Sequence, residues 1–263
     1  MKFGQIVVWA IVGVLVVVLA AFFIVGRKAP PPAAAPAAEA PAEAAPALPV
    51  PAYKAAISGA VPGEWTMDLD AAKALAAETG LPLLLNFTGS DWCGWCRLME
   101  KQVFSQAAWK TYAKEKFILV WLDFPQDKTL VPEAFVERNN RLLQEFEIGG
   151  FPTYILLDSD GQTRLGQAGA SRDVSPERFI AALEDILRAS DKAIAALKEK
   201  MTDEQKTAID EAKAALDLAR QKLDDWVASE PEPSEENNAL YESMRDEIER
   251  AKASFMDLLK SAP

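Results

Sequence analysis

Leu83-Leu84-Leu85-Asn86-Phe87-Thr88-Gly89-Ser90-Asp91-Trp92-Cys93-Gly94-Trp95-Cys96 is the stretch on which the fold turns. Leu83–Phe87 is a short apolar run of the length expected of a buried strand. The segment after Cys93 reads as a helix through about Lys101. Two thiols three positions apart therefore stand where a helix begins. A helix N-terminus offers free N–H groups and partial positive charge, and both favour a thiolate. Cys93 is accordingly read as the nucleophile, with a depressed pKa. Cys96, one turn in, is read as the resolving thiol that releases a mixed disulfide. Arg97 either adds positive charge nearby or is an ordinary solvated side chain.

The same spacing has two other readings. It is half of a zinc site, but structural zinc takes four ligands. The chain has two Cys and no His, so only a site shared between two chains would satisfy the metal. A purely structural disulfide across so short a loop constrains little of the unfolded chain. The lack of His also excludes Ser-His-Asp and Cys-His hydrolases. No metal and no cofactor is expected. A net charge of −11 argues against a nucleic-acid partner, which needs a basic face.

Outward from this stretch, residues 64–189 alternate helix and strand signals. Helices are expected at Leu69–Glu78, Trp109–Lys116 and Glu133–Glu145, with another beginning at Ser175-Pro176-Glu177. Strands are expected at Phe117–Leu122 and Thr153–Leu157 and around Thr163–Gln167, the last two joined by the turn Asp158-Ser159-Asp160-Gly161. Strands separated by helices imply parallel pairing, and the hairpin adds an antiparallel part.

The ends have different compositions. Residues 5–26 carry no charge and, as a helix, span about 33 Å, enough for a bilayer core. The run ends in Arg27-Lys28 without a clear cleavage site, so residues 1–28 read as an uncleaved transmembrane anchor in preference to a cleaved signal peptide. Lys2 on one side and Arg27-Lys28 on the other leave the orientation open. Residues 29–63 form a Pro/Ala-rich linker, extended and solvated. Residues 190–263 show no strand signal. Thr202-Asp203-Glu204-Gln205 is a capping-box start. Apolar stripes at Ile209, Ala212, Leu216, Ala219, Leu223 and Trp226, and at Leu240, Met244, Ile248, Ala251, Phe255 and Leu258, suggest an antiparallel helical hairpin. The stripes either pack on each other and on the preceding domain, or serve self-association or a partner.

Trp92-Cys93-Gly94-Trp95-Cys96 together with Phe151-Pro152-Thr153 resembles the thioredoxin superfamily, with Asp160-Gly161 and Gly169 as further matches. Thr88–Cys93 and Phe104 resemble its exported bacterial branch. The resemblance implies a central mixed sheet flanked by helices, here with a transmembrane helix before it and a helical hairpin after it. It also implies that Pro152 is cis, beside the dithiol, and that Phe151 offers its backbone to the substrate, with Thr153 completing the loop. Trp92, Gly94 and Trp95 are candidate substrate contacts, with packing as the alternative for the two indoles. The family carries a buried acid where this chain has Asn86, which leaves proton transfer to water or another group; Asp91 is a candidate expected to be exposed. The Gly94-Trp95 pair is similar to that of periplasmic isomerases and suggests an intermediate or reducing poise.

The expected function is that of a membrane-anchored thiol–disulfide oxidoreductase of the bacterial inner membrane. It would be single-pass, with its soluble part in the periplasm, where disulfides form. Its partners would be disulfide-bearing or thiol-bearing exported proteins and a membrane electron donor or acceptor. The alternative is an anchored scaffold that works through the C-terminal hairpin.

Overall fold

The computed structural model of the protein describes residues 55–262. The expected anchor at residues 5–26 and most of the linker lie outside the described residues. Among the described residues no helix is long and apolar enough to cross a membrane.

Five strands form one mixed sheet: β1 (Trp65–Thr66), β2 (Leu83–Thr88), β3 (Ile118–Asp123), β4 (Thr153–Leu157) and β5 (Arg164–Gly169). Their order is β1-β3-β2-β4-β5. β2 runs parallel to β3, from Leu83 beside Ile118 to Thr88 beside Asp123, and antiparallel to β4, with Phe87 beside Thr153. The C-terminal ends of β2 and β3 and the start of β4 therefore share one edge of the sheet.

Side chains alternate across a strand, so the apolar run of β2 serves both faces. Leu83, Leu85 and Phe87 meet Leu69, Ala72 and Ala76 of α1 (Leu69–Thr79) and Leu142 of α4 (Glu133–Glu145). Leu84, on the other face, joins a cluster with Met99, Val103, Phe104, Trp109, Phe179 and Leu183. These come from α2 (Gly94–Met99) and its continuation, α3 (Ala107–Lys116) and α5 (Pro176–Arg188). Local chemistry sets the helix ends. The Asp68 carboxylate accepts the Ala71 N–H at 3.0 Å to start α1, and Gly80, at φ 72°, ends it. Ser175 caps α5, with Pro176 at its first position.

Besides the unexpected strand β1, three features depart from the sequence expectation. The helix after the dithiol is not one α-helix through Lys101. It changes at Glu100 into a π-helical turn, Glu100–Phe104, closed by the Ser105 N–H donating to the Glu100 carbonyl at 2.9 Å. The extra residue per turn lets both Val103 and Phe104 enter the core, a demand set by packing that carries no local signal. The folded body also begins earlier than position 64. Ala55 is buried, and Ala56 pairs with Thr66 at the sheet edge beyond β1. Finally, a short helix, α6 (Asp191–Lys198), follows α5 where no element was expected.

Two long helices follow, α7 (Asp203–Ala228) and α8 (Glu235–Ser261). Thr202 and Gln205 form a reciprocal capping box at the start of α7. The helices run antiparallel: Trp226 meets Tyr241 at 6.1 Å between rings, and Lys222 reaches Glu247 at 2.8 Å. Ile209 and Leu216 pack with Phe255, Met256 and Leu259, together with Ile194 of α6. Lys260 reaches back to Asp185 of α5 at 2.9 Å.

Candidate active site

The dithiol sits at the sheet edge where β2 and β3 end and β4 begins. Cys93 is the N-cap of α2, in an extended conformation, and its Sγ accepts the Cys96 N–H at 3.1 Å. The Cys93 N–H donates to the Gly89 carbonyl at 2.8 Å, which holds the approach to the helix. The two sulfurs are bonded to each other, with the Cα atoms 5.2 Å apart. Both cysteines are buried, at 5% and 6% exposure. The Cys96 N–H and the N-terminal end of α2 thus face the Cys93 sulfur.

The Phe151–Pro152 peptide is cis. Thr153 donates its hydroxyl to the Gly150 carbonyl at 2.8 Å, and its backbone begins β4 opposite Phe87. Gly169 stands opposite Thr153 on β5. Trp92 is 40% exposed, yet it is fixed. Its indole N–H donates to the Phe124 carbonyl at 2.8 Å, and its ring lies edge-on to Phe151 at 5.5 Å. The ring also covers Gly89, where a Cβ would fall 2.4 Å from it. Phe124 and Phe151 are 5.3 Å apart, so together with Trp92, the residue before Cys93, three aromatic rings form one wall. Gly94 is exposed, with open space where a side chain would be, and Trp95 is half-buried on α2.

The loop after β3 holds the dithiol segment through contacts that sequence reading missed. The Ser90 N–H and hydroxyl donate to the Asp123 carboxylate at 2.9 and 2.6 Å. Burial raises the Asp123 pKa, against the pull of those bonds. The Asp91 carboxylate accepts the Gln126 and Asp127 N–H groups at 3.0 and 2.8 Å. Burial acts to raise its pKa, but these two bonds outweigh that and hold it below the usual range. Asp91 is thus an ionised brace for the loop and is ill suited to carry protons near neutral pH. Arg97 is exposed and donates to the Asp91 carbonyl at 3.1 Å. The one signal available in sequence was an aspartate closing an apolar strand at Asp123.

Beneath the helix, Asn86 is 2% exposed, and its Oδ1 has no hydrogen-bond partner among the described residues. Tyr154 of β4 and Trp121 of β3 flank it in register. Glu100, at the start of the π-helical turn, also has a buried and unpartnered carboxylate oxygen, Oε2. Burial pushes its pKa up to about 7, partly offset by Lys110.

Known proteins are similar to this chain in sequence. The family model of the thioredoxin-like domain matches residues 69–187. Disulfide bond reductase DsbH of Chlamydia pneumoniae is 37% identical over 81 residues, 31% of this chain and 48% of the relative. Thioredoxin-related protein DsbJ of the same organism is 31% identical over 107 residues, 40% of this chain and 30% of the relative. The chain thus spans about half or less of the length of these curated relatives. A solved DsbH oxidoreductase aligns at 26% identity and a TM-score of 0.42, covering 52% of this chain and 89% of that one. Residues 69–187 are thus a thioredoxin-like domain.

Proposed function

We propose that the protein is a membrane-anchored thiol–disulfide oxidoreductase acting on exported proteins in the bacterial periplasm, as a reductase or isomerase in preference to an oxidant. The observation that carries this reading is the Cys93 sulfur at the N-cap of α2, accepting the Cys96 N–H, with the ring of the preceding Trp92 5.5 Å from Phe151 of the cis-proline loop. The relationship to a disulfide bond reductase supports it. The anchor is assigned to residues 5–26, the linker to residues 29–54 and the catalytic domain to residues 55–189, since Ala55 and Ala56 already belong to the folded body. Residues 190–262 form a helical arm in which the seam between α7 and α8 also packs on α6.

In the reducing direction the Cys93 thiolate attacks one sulfur of a substrate disulfide. A Cys93–substrate bond forms, the substrate's own S–S bond breaks, and the freed substrate thiolate takes a proton. The Cys96 thiol then loses its proton and attacks the Cys93 sulfur. The Cys93–Cys96 bond forms and the second substrate thiolate leaves. The substrate gains two electrons and two protons, and the protein is left as the disulfide. A dithiol donor at the membrane must restore it. Phe151 offers its backbone to the bound polypeptide, and the wall of Trp92, Phe124 and Phe151 takes an apolar side chain from it. Trp95 and Gly94 border the same approach.

The test is reduction of a disulfide-bonded polypeptide such as insulin by the soluble part, with dithiothreitol as donor. Cys93→Ser is expected to bring the rate to that of dithiothreitol alone. The equilibrium potential of the Cys93/Cys96 couple is expected near or below that of isomerases, about −180 mV. A value near −120 mV, the range of strong oxidants, overturns the direction assigned here. Protection of the soluble part from protease in cells stripped of their outer membrane overturns the periplasmic placement.

A further inference from the structure

β5 is the last strand of the sheet, and among the described residues no strand pairs with its outer edge. Such an edge offers a row of backbone N–H and C=O groups to any extended chain. The pairing of β5 with β4 skips Leu165, but from Gly166 to Gly169 the register is regular. Proline and lysine commonly blunt an exposed edge, and this strand contains neither. Gly169 stands opposite Thr153, directly after the cis Pro152. A side chain placed at Gly169 would meet only the Pro152 carbonyl oxygen, 3.9 Å away. The free edge therefore ends, uncovered, at the loop that the exchange reading assigns to substrate.

The helical arm does not close this edge. Between β5 and α5 on one side and α7 and α8 on the other lies a cleft of about 1030 Å³. Sites for small ligands run to about 1,000 Å³, so there is room for a length of polypeptide. Ala181 and Ala182 of α5 are exposed in the cleft and leave its floor low. Charge in the cleft is reversed relative to the chain as a whole, which has 28 basic and 39 acidic side chains. Among the described residues Arg164, Arg178, Lys192, Lys213, Arg220 and Lys252 line it, against the four acids Asp158, Asp185, Asp191 and Asp217. Three of those acids already have bases beside them. Asp158 lies 3.8 Å from Lys192, Asp217 3.0 Å from Lys213, and Asp185 2.9 Å from Lys260, which stands outside the cleft. Arg164 and Lys252 have no ion-pair partner among the described residues.

We propose that this cleft binds an extended, acidic stretch of the same polypeptide whose disulfide lies at the dithiol, and that the stretch adds to the sheet beside β5. This deepens the exchange reading given above and rests on it. A strand edge is satisfied by another backbone, which selects a polypeptide over a small anion. Alternate residues of an antiparallel strand turn their N–H and C=O outward, so Gly166–Gly169 presents about two such pairs. In strand addition these backbone bonds supply affinity, and the surroundings of alternate side chains supply specificity. Here the surroundings are the bases of β5, α7 and α8, which favour carboxylates. Other occupants fit less well. The prolines of residues 29–54 have no N–H to give to a ladder. A second copy would bring a cleft of the same basic lining against this one.

The experiment uses the full-length protein in detergent, with dithiothreitol as donor, and three peptides closed by the same disulfide. One has no tails, one is extended at both ends by alternating Glu and Val, and one by alternating Lys and Val. The native protein is expected to reduce the Glu-tailed peptide with a kcat/KM about tenfold above that of the Lys-tailed one, through a lower KM. The gap is expected to shrink as salt is added. Methylation of alternate amide nitrogens in the Glu tails is expected to remove the gain in one of the two registers. Arg220→Glu combined with Lys252→Glu, both exposed on the arm, is expected to bring the two tailed peptides within about twofold, each rate taken relative to the peptide without tails. A benzophenone side chain placed at Gln167, which lines the cleft, is expected to cross-link to a Glu tail on irradiation. Equal rates on the two tailed peptides in the native protein overturn the proposal. So does a preference that survives the double substitution, or cross-linking to residues 29–54 or to a second copy in place of the tail. Failure to reduce the peptide without tails overturns the exchange reading itself, and the two failures are thus distinct.

Discussion

The sheet-centred body and the C-terminal helix pair are both amphipathic designs, but they hide their apolar surface differently. In the body, β2, β3 and β4 are covered on both faces, and residues such as Leu83, Leu84, Phe87 and Ile155 are fully excluded from water. In the helix pair one seam does all the burying. Ile209, Leu216, Phe255, Met256 and Leu259 fill it at the end near α6. Toward the connecting loop Val227 is 52% and Leu240 40% exposed. The charged contacts of the pair, such as Lys222 with Glu247, lie at the surface, where ion pairs contribute little. The difference teaches where precision is held. A two-sided core can fix a strand end and a helix start against each other, and that junction carries the dithiol. A single seam holds two helices together without fixing anything so finely.

Three changes probe this contrast. Phe104→Ala should have the largest effect. The ring is 1% exposed and lies 5.3–5.6 Å from the rings of Trp65, Trp109, Tyr154 and Phe179, so its loss should cost about 3–5 kcal/mol. Urea unfolding followed by tryptophan fluorescence would show it, and exchange activity should fall with the folded fraction. Leu216→Ala should cost less, about 2–3 kcal/mol, because a two-helix seam can close partly over the gap. Amide hydrogen exchange should quicken in α7 and α8 and stay unchanged in β2–β4. Equal quickening in both regions would break the contrast and make the body and the pair one cooperative unit.

The smallest effect concerns pH. Glu100 holds its proton more tightly folded than unfolded, since burial lifts it from 4.5 to about 7. The folded state then binds more protons across that window, so the Glu100 contribution to stability is greatest at low pH and is lost as pH rises from 4.5 through about 7. The change is on the order of 1–2 kcal/mol after allowance for partial exposure, and Glu100→Gln should remove it. In the helix pair the sign is opposite. Glu247 is held below its usual range by its hydrogen bond from Lys222 and by that charge, so its contribution is lost as pH falls. Denaturation midpoints across pH 4–8 in the native protein and in Glu100→Gln would separate the two.

Much of this was legible in the residues. The apolar run at Leu83, the caps at Ser175 and Thr202 and the turn at Asp158–Gly161 are local signals, and the elements stand where those signals lie. β1 was not legible, because two residues, Trp65 and Thr66, are too short to show alternation and become a strand only by pairing with Leu119 and Val120. Nor was the bracing of the dithiol loop. Ser90 and Asp123 are 33 positions apart and meet only because β2 and β3 end side by side. Asp91 looked like an exposed acid, and its use as a brace depends on the path of the chain at Gln126 and Asp127.

By itself, then, the sequence determined the chemistry available here. There are two thiols at a helix start, no imidazole, an amide at position 86 and a proline after Phe151. Those facts depend on residue identity and on spacing within a turn or two, where geometry follows from local backbone preference. Only the tertiary structure decided which acid is free and which is spent. Asp91 and Asp123 are consumed by loop hydrogen bonds, and Glu100 is left with an oxygen unpaired among the described residues, in a core that raises its affinity for a proton. The physical reason is that a carboxyl group's protonation is set by burial and by partners brought from distant positions, and neither is written in the residues beside it.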